Sequence, residues 1–193
     1  MRQCFLAVLI LPLALAACAS SVRVTADWDP KSDLSARTTF ALASPDHDAS
    51  TGRSAELQSD LFNDRVRRAL LLELPVCGRM PATDPSKAQF RVFWHAQSET
   101  RYETDTVAYR NRVWHDDPWR ANYYETNTYS YEVQTLTLFL REPTNGSVLW
   151  RASAEAREVP EASPEDREAR IREMVRRMLE KLPAVPKPGQ VAR

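Results

Sequence analysis

Five stretches of the chain have the composition or the apolar and polar alternation that is typical of half-buried β-strands. The first runs from Val22 to Trp28, and a short one follows at 38–42. We expect these two strands to pair as a hairpin. A longer strand begins at Phe90, and its alternation extends to Tyr102.

The clearest hairpin lies in the second half of the chain. Its first strand begins at Tyr131 and has leucines at positions 136, 138 and 140, and its second strand occupies 148–157. The intervening segment 143–146, Pro-Thr-Asn-Gly, has the residues of a tight turn, because Gly146 can take a positive φ without a Cβ clash. The sequence therefore predicts two antiparallel neighbours here.

Two segments have apolar residues at spacings of three and four, which is typical of amphipathic helices. The first is predicted to run from a cap at Ser54 to about Glu73, before Pro75. The second opens with Ser163 as cap and Pro164 at the first helical position, followed by acidic residues. The apolar stripes are Leu57, Leu61, Phe62, Val66, Ala69 and Leu70 in the first helix, and Ile171, Met174, Val175, Met178, Leu179 and Leu182 in the second.

The single apolar stripe on each helix determines the predicted fold class. Both helices should lie on one face of the sheet, because each has only one side to bury. We predict an α+β fold with two layers: a mostly antiparallel sheet of about five strands, with two helices on one face. The proline-rich segment 184–193 is predicted to be a flexible tail.

Residues 1–17 have the layout of a secretory signal peptide. Arg2 is followed by an uncharged run of 12 residues from Phe5 to Ala16. A helix needs ~20 apolar residues to span a bilayer, so this run is expected to direct export and not to anchor the protein.

Leu15, Ala16, Ala17 and Cys18 resemble the lipobox of bacterial lipoproteins. In proteins with this motif, the signal peptidase recognises the first three residues and cuts before the cysteine, which takes a diacylglyceryl group and an N-acyl chain. The resemblance implies that Cys18 is lipidated and that the acyl chains attach the protein to a membrane. Ala19 replaces the Asp typical of lipoproteins retained in the inner membrane, so we expect an outer-membrane location on the periplasmic face. The alternative is an ordinary signal peptide that ends by chance at a cysteine.

The charge balance is even, with 26 basic and 26 acidic residues. It gives no reason to expect a nucleic-acid partner. Residues 18–183 are long enough for a single domain with one core. Cys77 would be the one unmodified thiol of the mature chain; we predict a buried structural thiol, with intermolecular pairing in an oxidising compartment as the alternative.

The element order and the lipobox together resemble the DUF4136 family of bacterial lipoproteins, a domain of unknown function. The matching stretches are 24–42, 88–90, 135–138, 148–151 and 182–183. The resemblance implies the fold described above and a location in the cell envelope, but it implies no activity and supplies no catalytic residue. The chain departs from the family at Gln89, where Asp is common, and it has no glycine between Gly78 and Gly146.

The segment 103–129 has the least regular pattern of the chain and is rich in aromatic residues. All six tyrosines lie between Tyr102 and Tyr131, together with two tryptophans. Rings with a polar edge suit contact with a protein, a sugar or a membrane interface. The candidate partner-binding residues are Trp114, Trp119, Tyr123 and Tyr124, with an envelope protein or peptidoglycan as partner. The alternatives are a hairpin extension whose rings pack on the sheet, and contact with the membrane.

His115, Asp116 and Asp117 form the one place where a histidine adjoins carboxylates. Metal binding needs three or four converging ligands, and adjacent strand residues point to opposite faces, so His95 would have to add a third ligand. No nucleophile motif, phosphate loop or spaced cysteine pair is present in the sequence. We predict a non-enzymatic envelope binding or assembly module without cofactor or metal. The alternative is a periplasmic hydrolase or metal-dependent enzyme that uses His95, His115, Asp116 and Asp117.

Overall fold

The computed structural model describes residues 22–43, 59–109 and 123–186. These residues form six strands, two α-helices and one turn of 3₁₀ helix at Pro85–Lys87. In chain order the strands and α-helices are β1 (Arg23–Trp28), β2 (Thr39–Leu42), α1 (Asp60–Val76), β3 (Met80–Pro81), β4 (Phe90–Tyr109), β5 (Tyr123–Arg141), β6 (Val148–Arg157) and α2 (Pro164–Leu179).

All six described strands belong to one sheet with the order β1-β6-β5-β4-β2-β3. The pairings of β1 with β6, β6 with β5 and β5 with β4 are antiparallel, whereas β2 is parallel to β3 and β4. The α+β fold with a mostly antiparallel sheet is therefore confirmed. The two-residue strand β3, which contains Pro81, was not predicted, because its length leaves no alternation to recognise.

The predicted hairpin of the first two strands is wrong. β1 pairs along β6 and forms one edge of the sheet, while β2 lies beyond β4 near the other edge. The register of β1 on β6 places Arg23 opposite Glu155 and Asp27 opposite Arg151. Two cross-strand pairs of opposite charge favour this long-range pairing over the local one.

The core lies between the helices and one face of the sheet. Buried residues from α1 and α2 form a single cluster with inward-facing residues of β4, β5 and β6. Its largest fully buried apolar side chains are Trp94, Trp150, Phe40, Phe90, Leu70, Leu74, Leu136, Leu138, Leu140, Met174 and Met178.

The two helices differ in how well their starts were predicted. α2 begins as expected: Ser163 accepts a hydrogen bond from the Asp166 amide at 3.1 Å, and Pro164 occupies the first turn. α1 is capped by Ser59, which accepts from the Phe62 amide at 3.2 Å, so the predicted start at Ser54 is wrong. Ser54 itself lies outside the described residues. Leu61, which was assigned to the apolar stripe of α1, is 68% exposed.

The turn between β5 and β6 is confirmed. Gly146 has φ +72°, and its amide donates to the Glu142 carbonyl at 3.0 Å. Leu140 pairs with Trp150 in the regular register, and the register shift that follows pairs Arg141 with Val148. Val148 is therefore exposed, and Leu149 is buried in its place.

Arg79 is almost completely buried and holds three parts of the chain together. Its guanidinium donates to the carbonyl oxygens of Leu34 at 3.1 Å, Cys77 at 3.2 Å and Pro183 at 2.6 Å. Burial lowers the pKa of this guanidinium. Cys77 beside it is only half-buried, and its pKa is raised by burial, which disfavours the thiolate.

Gln89 has a structural role between two strands. Its side-chain oxygen accepts from the amides of Thr38 at 2.7 Å and Thr39 at 3.0 Å, which joins the start of β2 to the start of β4. An Asp carboxylate can accept the same hydrogen bonds.

Candidate interaction surface

Strands β4 and β5 continue well past the rest of the sheet. β6 pairs with β5 only as far as Val133, and the Glu158 amide makes one more bond to the Glu132 carbonyl at 2.7 Å. Beyond this point Thr100–Tyr109 pairs with Tyr123–Glu132 in ten consecutive rungs without a register shift. We call this two-stranded ribbon the arm. At about 3.3 Å per residue it extends roughly 30 Å.

The sequence predicted an irregular segment at 103–129. Its described parts, 103–109 and 123–129, are instead regular strand. Both of its described ends are strand, up to Tyr109 and from Tyr123. Threonine hydroxyls face each other across the ribbon, 3.4 Å apart for Thr104 and Thr128 and 3.5 Å apart for Thr106 and Thr126. β-branched and aromatic residues favour strands, so the threonines and tyrosines of this segment explain the extension.

The arm exposes most of its large side chains. Tyr102 is 73% exposed, Tyr124 65%, Tyr129 53% and Val107 45%. An isolated two-stranded hairpin is only marginally stable in water. Tyrosines presented on such a ribbon offer large contact areas with a hydrogen-bonding edge, as recognition surfaces do.

The base of the arm is tied to β6 by two arginines. Arg101 donates to both carboxylate oxygens of Glu155, at 3.0 and 3.2 Å, and also to Glu99. These hydrogen bonds hold the pKa of Glu155 below its usual value and raise that of Arg101. The guanidinium of Arg157 lies 4.2 Å from the centre of the Tyr131 ring.

A shallow depression of about 400 Å³ opens at this base, lined in part by Arg23, Arg101, Tyr131, Glu155 and Arg157. The carboxylate of Glu155 is already engaged by Arg101 there. Beyond the base, the arm strands carry only acidic charges, on Glu103, Asp105 and Glu125. The described arm is thus a tyrosine-rich and acidic ribbon on a salt-bridged base.

The predicted site residues fall into two groups. Tyr124 lies in β5 with an exposed side chain, and Tyr123 begins the same strand. The others lie outside the described residues: Leu15, Ala16, Ala17, Cys18, Trp114, Trp119, His115, Asp116 and Asp117. Sequence reasoning missed the pairing of Arg101 with Glu155, because the contact joins strands 54 positions apart.

His95 lies on the helix-free face of β4, opposite Thr137 of β5, and is half-buried. In the described ranges no three His, Cys, Asp or Glu side chains come together as a metal site would require. Within the same ranges, neither helix has the length and apolar character needed to cross a bilayer.

Comparison with solved structures finds matches at low identity, with TM-scores below 0.5. Two structures of the PelC dodecamer from Paraburkholderia phytofirmans are each 12% identical, with TM-scores of 0.48 and 0.46; they cover 85% and 86% of this chain and 98% and 100% of theirs. A DUF4136 family protein from Bacteroides thetaiotaomicron is 14% identical over 83% of this chain and 95% of its own, with a TM-score of 0.43.

No curated protein matches the chain. The family model for DUF4136, a domain of unknown function, matches residues 24–184, from β1 to just past α2. This match spans every described strand and helix except the first residue of β1. The chain therefore belongs to the DUF4136 family.

Proposed function

We propose that this protein is an outer-membrane lipoprotein whose periplasmic domain is a non-enzymatic binding or assembly module. The lipobox-like segment Leu15–Cys18 supports the anchor. β1 begins at Arg23, so only a few residues separate Cys18 from the folded domain. At up to ~3.6 Å per residue, this linker keeps the domain close to the membrane.

The observation that carries the proposal is the exposure of the arm. Ten rungs of sheet extend beyond β6, and the tyrosines at 102, 124 and 129 are each more than half exposed there. Tyr102 and Tyr124 lie on one face of the ribbon and Tyr129 on the other. Exposed rings on a ribbon without its own core suit the docking of another macromolecule. The expected partner is a different component of the cell envelope, a protein or peptidoglycan.

Two measurements test the two halves of the proposal. Changing Cys18 to Ser should release the protein from membranes; a variant that fractionates entirely with the outer membrane would contradict the lipid anchor. A photoreactive amino acid at Tyr124 should capture a partner in intact cells, and the same residue at exposed Thr144, in the β5–β6 turn, is the matched control.

A discrete adduct from position 124 but not from 144 is the expected result. Equal adducts from both positions, or none from either, would contradict the arm as a recognition surface. An adduct with twice the mass of the chain reports a second copy and is not counted, so an adduct of any other mass from position 124 is required as support for a different envelope component.

A further inference from the structure

The edge of β4 that faces away from β5 is long, and the described residues leave most of it uncovered. β2 pairs with β4 only at Phe90–Val92, and the Ala43 amide donates to the Val92 carbonyl at 3.0 Å. No other described strand lies on this edge, although β4 continues to Tyr109. Its residues 93–107 include no proline and no lysine, and their register with β5 has no bulge. Natural sheets use proline, lysine or a bulge to prevent pairing between edges, and this stretch has none of the three.

The direction of the free backbone groups follows from the bond at Val92. Its carbonyl points to the open edge, and peptide groups alternate along a regular strand. The amides and carbonyls of positions 94, 96, 98, 100, 102, 104 and 106 therefore point to the same edge. An antiparallel partner strand can bond to them when even positions meet even positions.

The geometry points to a second copy of this chain as the occupant of this edge, paired β4 to β4 about a two-fold axis at Thr100. In this register Thr100 meets Thr100, and residues 93–107 pair with 107–93 of the second copy. The pairing stops at Phe93, next to the residue where β2 begins to occupy the edge. A closed two-fold interface of this type uses the same surface on both copies.

Complementary side chains select this register: one pair has opposite charges, and a second pair can form a hydrogen bond. Glu99 faces Arg101 of the second copy, and His95 faces Asp105 of the second copy, each twice by symmetry. On the helix-free face Phe93 meets Val107, which is 45% exposed in the single chain. On the other face Tyr102, 73% exposed, comes beside Ser98.

Neighbouring registers lack this match. An axis at Glu99 places Glu99 opposite itself, and an axis at Arg101 places Arg101 opposite itself and Glu99 opposite Glu103. Like charges directly opposite each other destabilise a strand pair. The sequence of the edge thus complements itself best about Thr100.

Residues 44–58 follow β2 and are the other candidate occupant, and they lie outside the described residues. Their sequence is polar and contains Pro45 and Gly52, which are unfavourable within a strand. The pairing of two copies does not depend on the lipid anchor or on a further partner of the arm, so its test is separate from those of the proposed function.

Cross-linking of the full-length chain in detergent tests the register. Thr100→Cys in a Cys77→Ser background places two thiols across the axis, so a short bis-maleimide should join them. Thr104→Cys in the same background is the matched control, because it lies on the same edge and face but meets Ala96 of the second copy. The expected dimer yield for Thr100→Cys is about tenfold or more above the control, since proximity raises the effective concentration of thiols. The Cys77→Ser parent gives the background from Cys4 and Cys18.

Equal yields from Thr100→Cys and Thr104→Cys, or a yield no higher than that of the parent, would overturn the assignment. A second variant, Thr100→Lys, is expected to disrupt the pairing of two copies without disturbing the fold of the single chain. Thr100 lies opposite Glu132 in its own sheet, so the introduced lysine suits the monomer, but two lysines meet at the axis. Light scattering in detergent should show a twofold lower protein mass for this variant than for the wild type; an equal mass would also overturn the assignment.

Discussion

Strands β4 and β5 run through two different environments, and the comparison separates what folds this protein from what it presents. Near the helices, Trp94 is paired with Leu138, and both are almost completely buried. On the arm, Thr104 is paired with Thr128, and both are exposed. The backbone pairing is the same in both halves, whereas the side chains are packed in the core in one half and exposed to solvent in the other. We infer that the helix-covered half supplies the stability and the arm supplies the contact surface.

The largest effect on the free energy of unfolding is expected when a buried side chain in the helix-covered half of the sheet is truncated. Leu138→Ala removes a fully buried side chain and should lower the free energy of unfolding by about 2–5 kcal/mol. Thr128→Ala, on the same strand but in the arm, is the control and should change it by less than about 0.5 kcal/mol. Urea unfolding followed by circular dichroism measures both values. Similar losses for the two variants would remove the distinction between the regions.

A second large effect is expected at Arg79. Replacing it by Met keeps much of the volume but leaves the carbonyl oxygens of Leu34, Cys77 and Pro183 without their donor. The free energy of unfolding should fall by about 2–3 kcal/mol, because hydrogen bonds from a charged donor are lost in a buried site. Arg91→Met, at an exposed position of β4, is the control. Equal stability of the two variants would show that the buried clamp contributes nothing.

The salt bridge at the base of the arm should make a smaller contribution that depends on pH. Its hydrogen bonds from Arg101 lower the pKa of Glu155 in the folded chain, so its stabilisation is present above the unfolded pKa and is lost as the pH falls through the folded value. Wild type and Glu155→Gln should therefore differ most in unfolding free energy near neutral pH and converge as the pH falls through the lowered pKa of folded Glu155. A difference that grows on acidification would contradict the assignment.

The smallest effect on stability is expected for the exposed tyrosines. Tyr124→Ala and Tyr129→Ala should each change the free energy of unfolding by less than about 0.5 kcal/mol. Tyr124→Ala should also weaken capture of a partner by a photoreactive residue placed at Thr126, which is exposed on the same face of β5. Unchanged capture would show that this ring takes no part in recognition.

The sequence predicted the covered half far better than the arm. The apolar residues Phe90, Val92, Trp94 and Ala96 alternate with polar ones because one face of β4 is buried. A strand with one buried face can therefore be recognised from its sequence. Residues 103–107 have no buried face and therefore no such alternation, although their threonines and valine were a usable signal for strand.

The misplaced strand β1 and the unpredicted burial of Arg79 have a common cause, because both depend on contacts between distant parts of the chain. The place of β1 beside β6 depends on pairs such as Arg23 with Glu155, which no local pattern records. The burial of Arg79 depends on carbonyl groups from three separate segments. Local cap chemistry, in contrast, identified Ser163 and Pro164 correctly, since each of its contacts lies within one turn.

The most direct test of the central claim is the stability of a chain without the arm. Residues 102–130 would be replaced by Asn-Gly, so that Arg101 and Tyr131, which are paired in the sheet, are joined by a two-residue turn. If the arm lies outside the cooperative core, the free energy of unfolding should stay within about 1 kcal/mol of the wild-type value. A loss as large as that of Leu138→Ala would show that the arm is part of the core and would contradict its role as a presented surface.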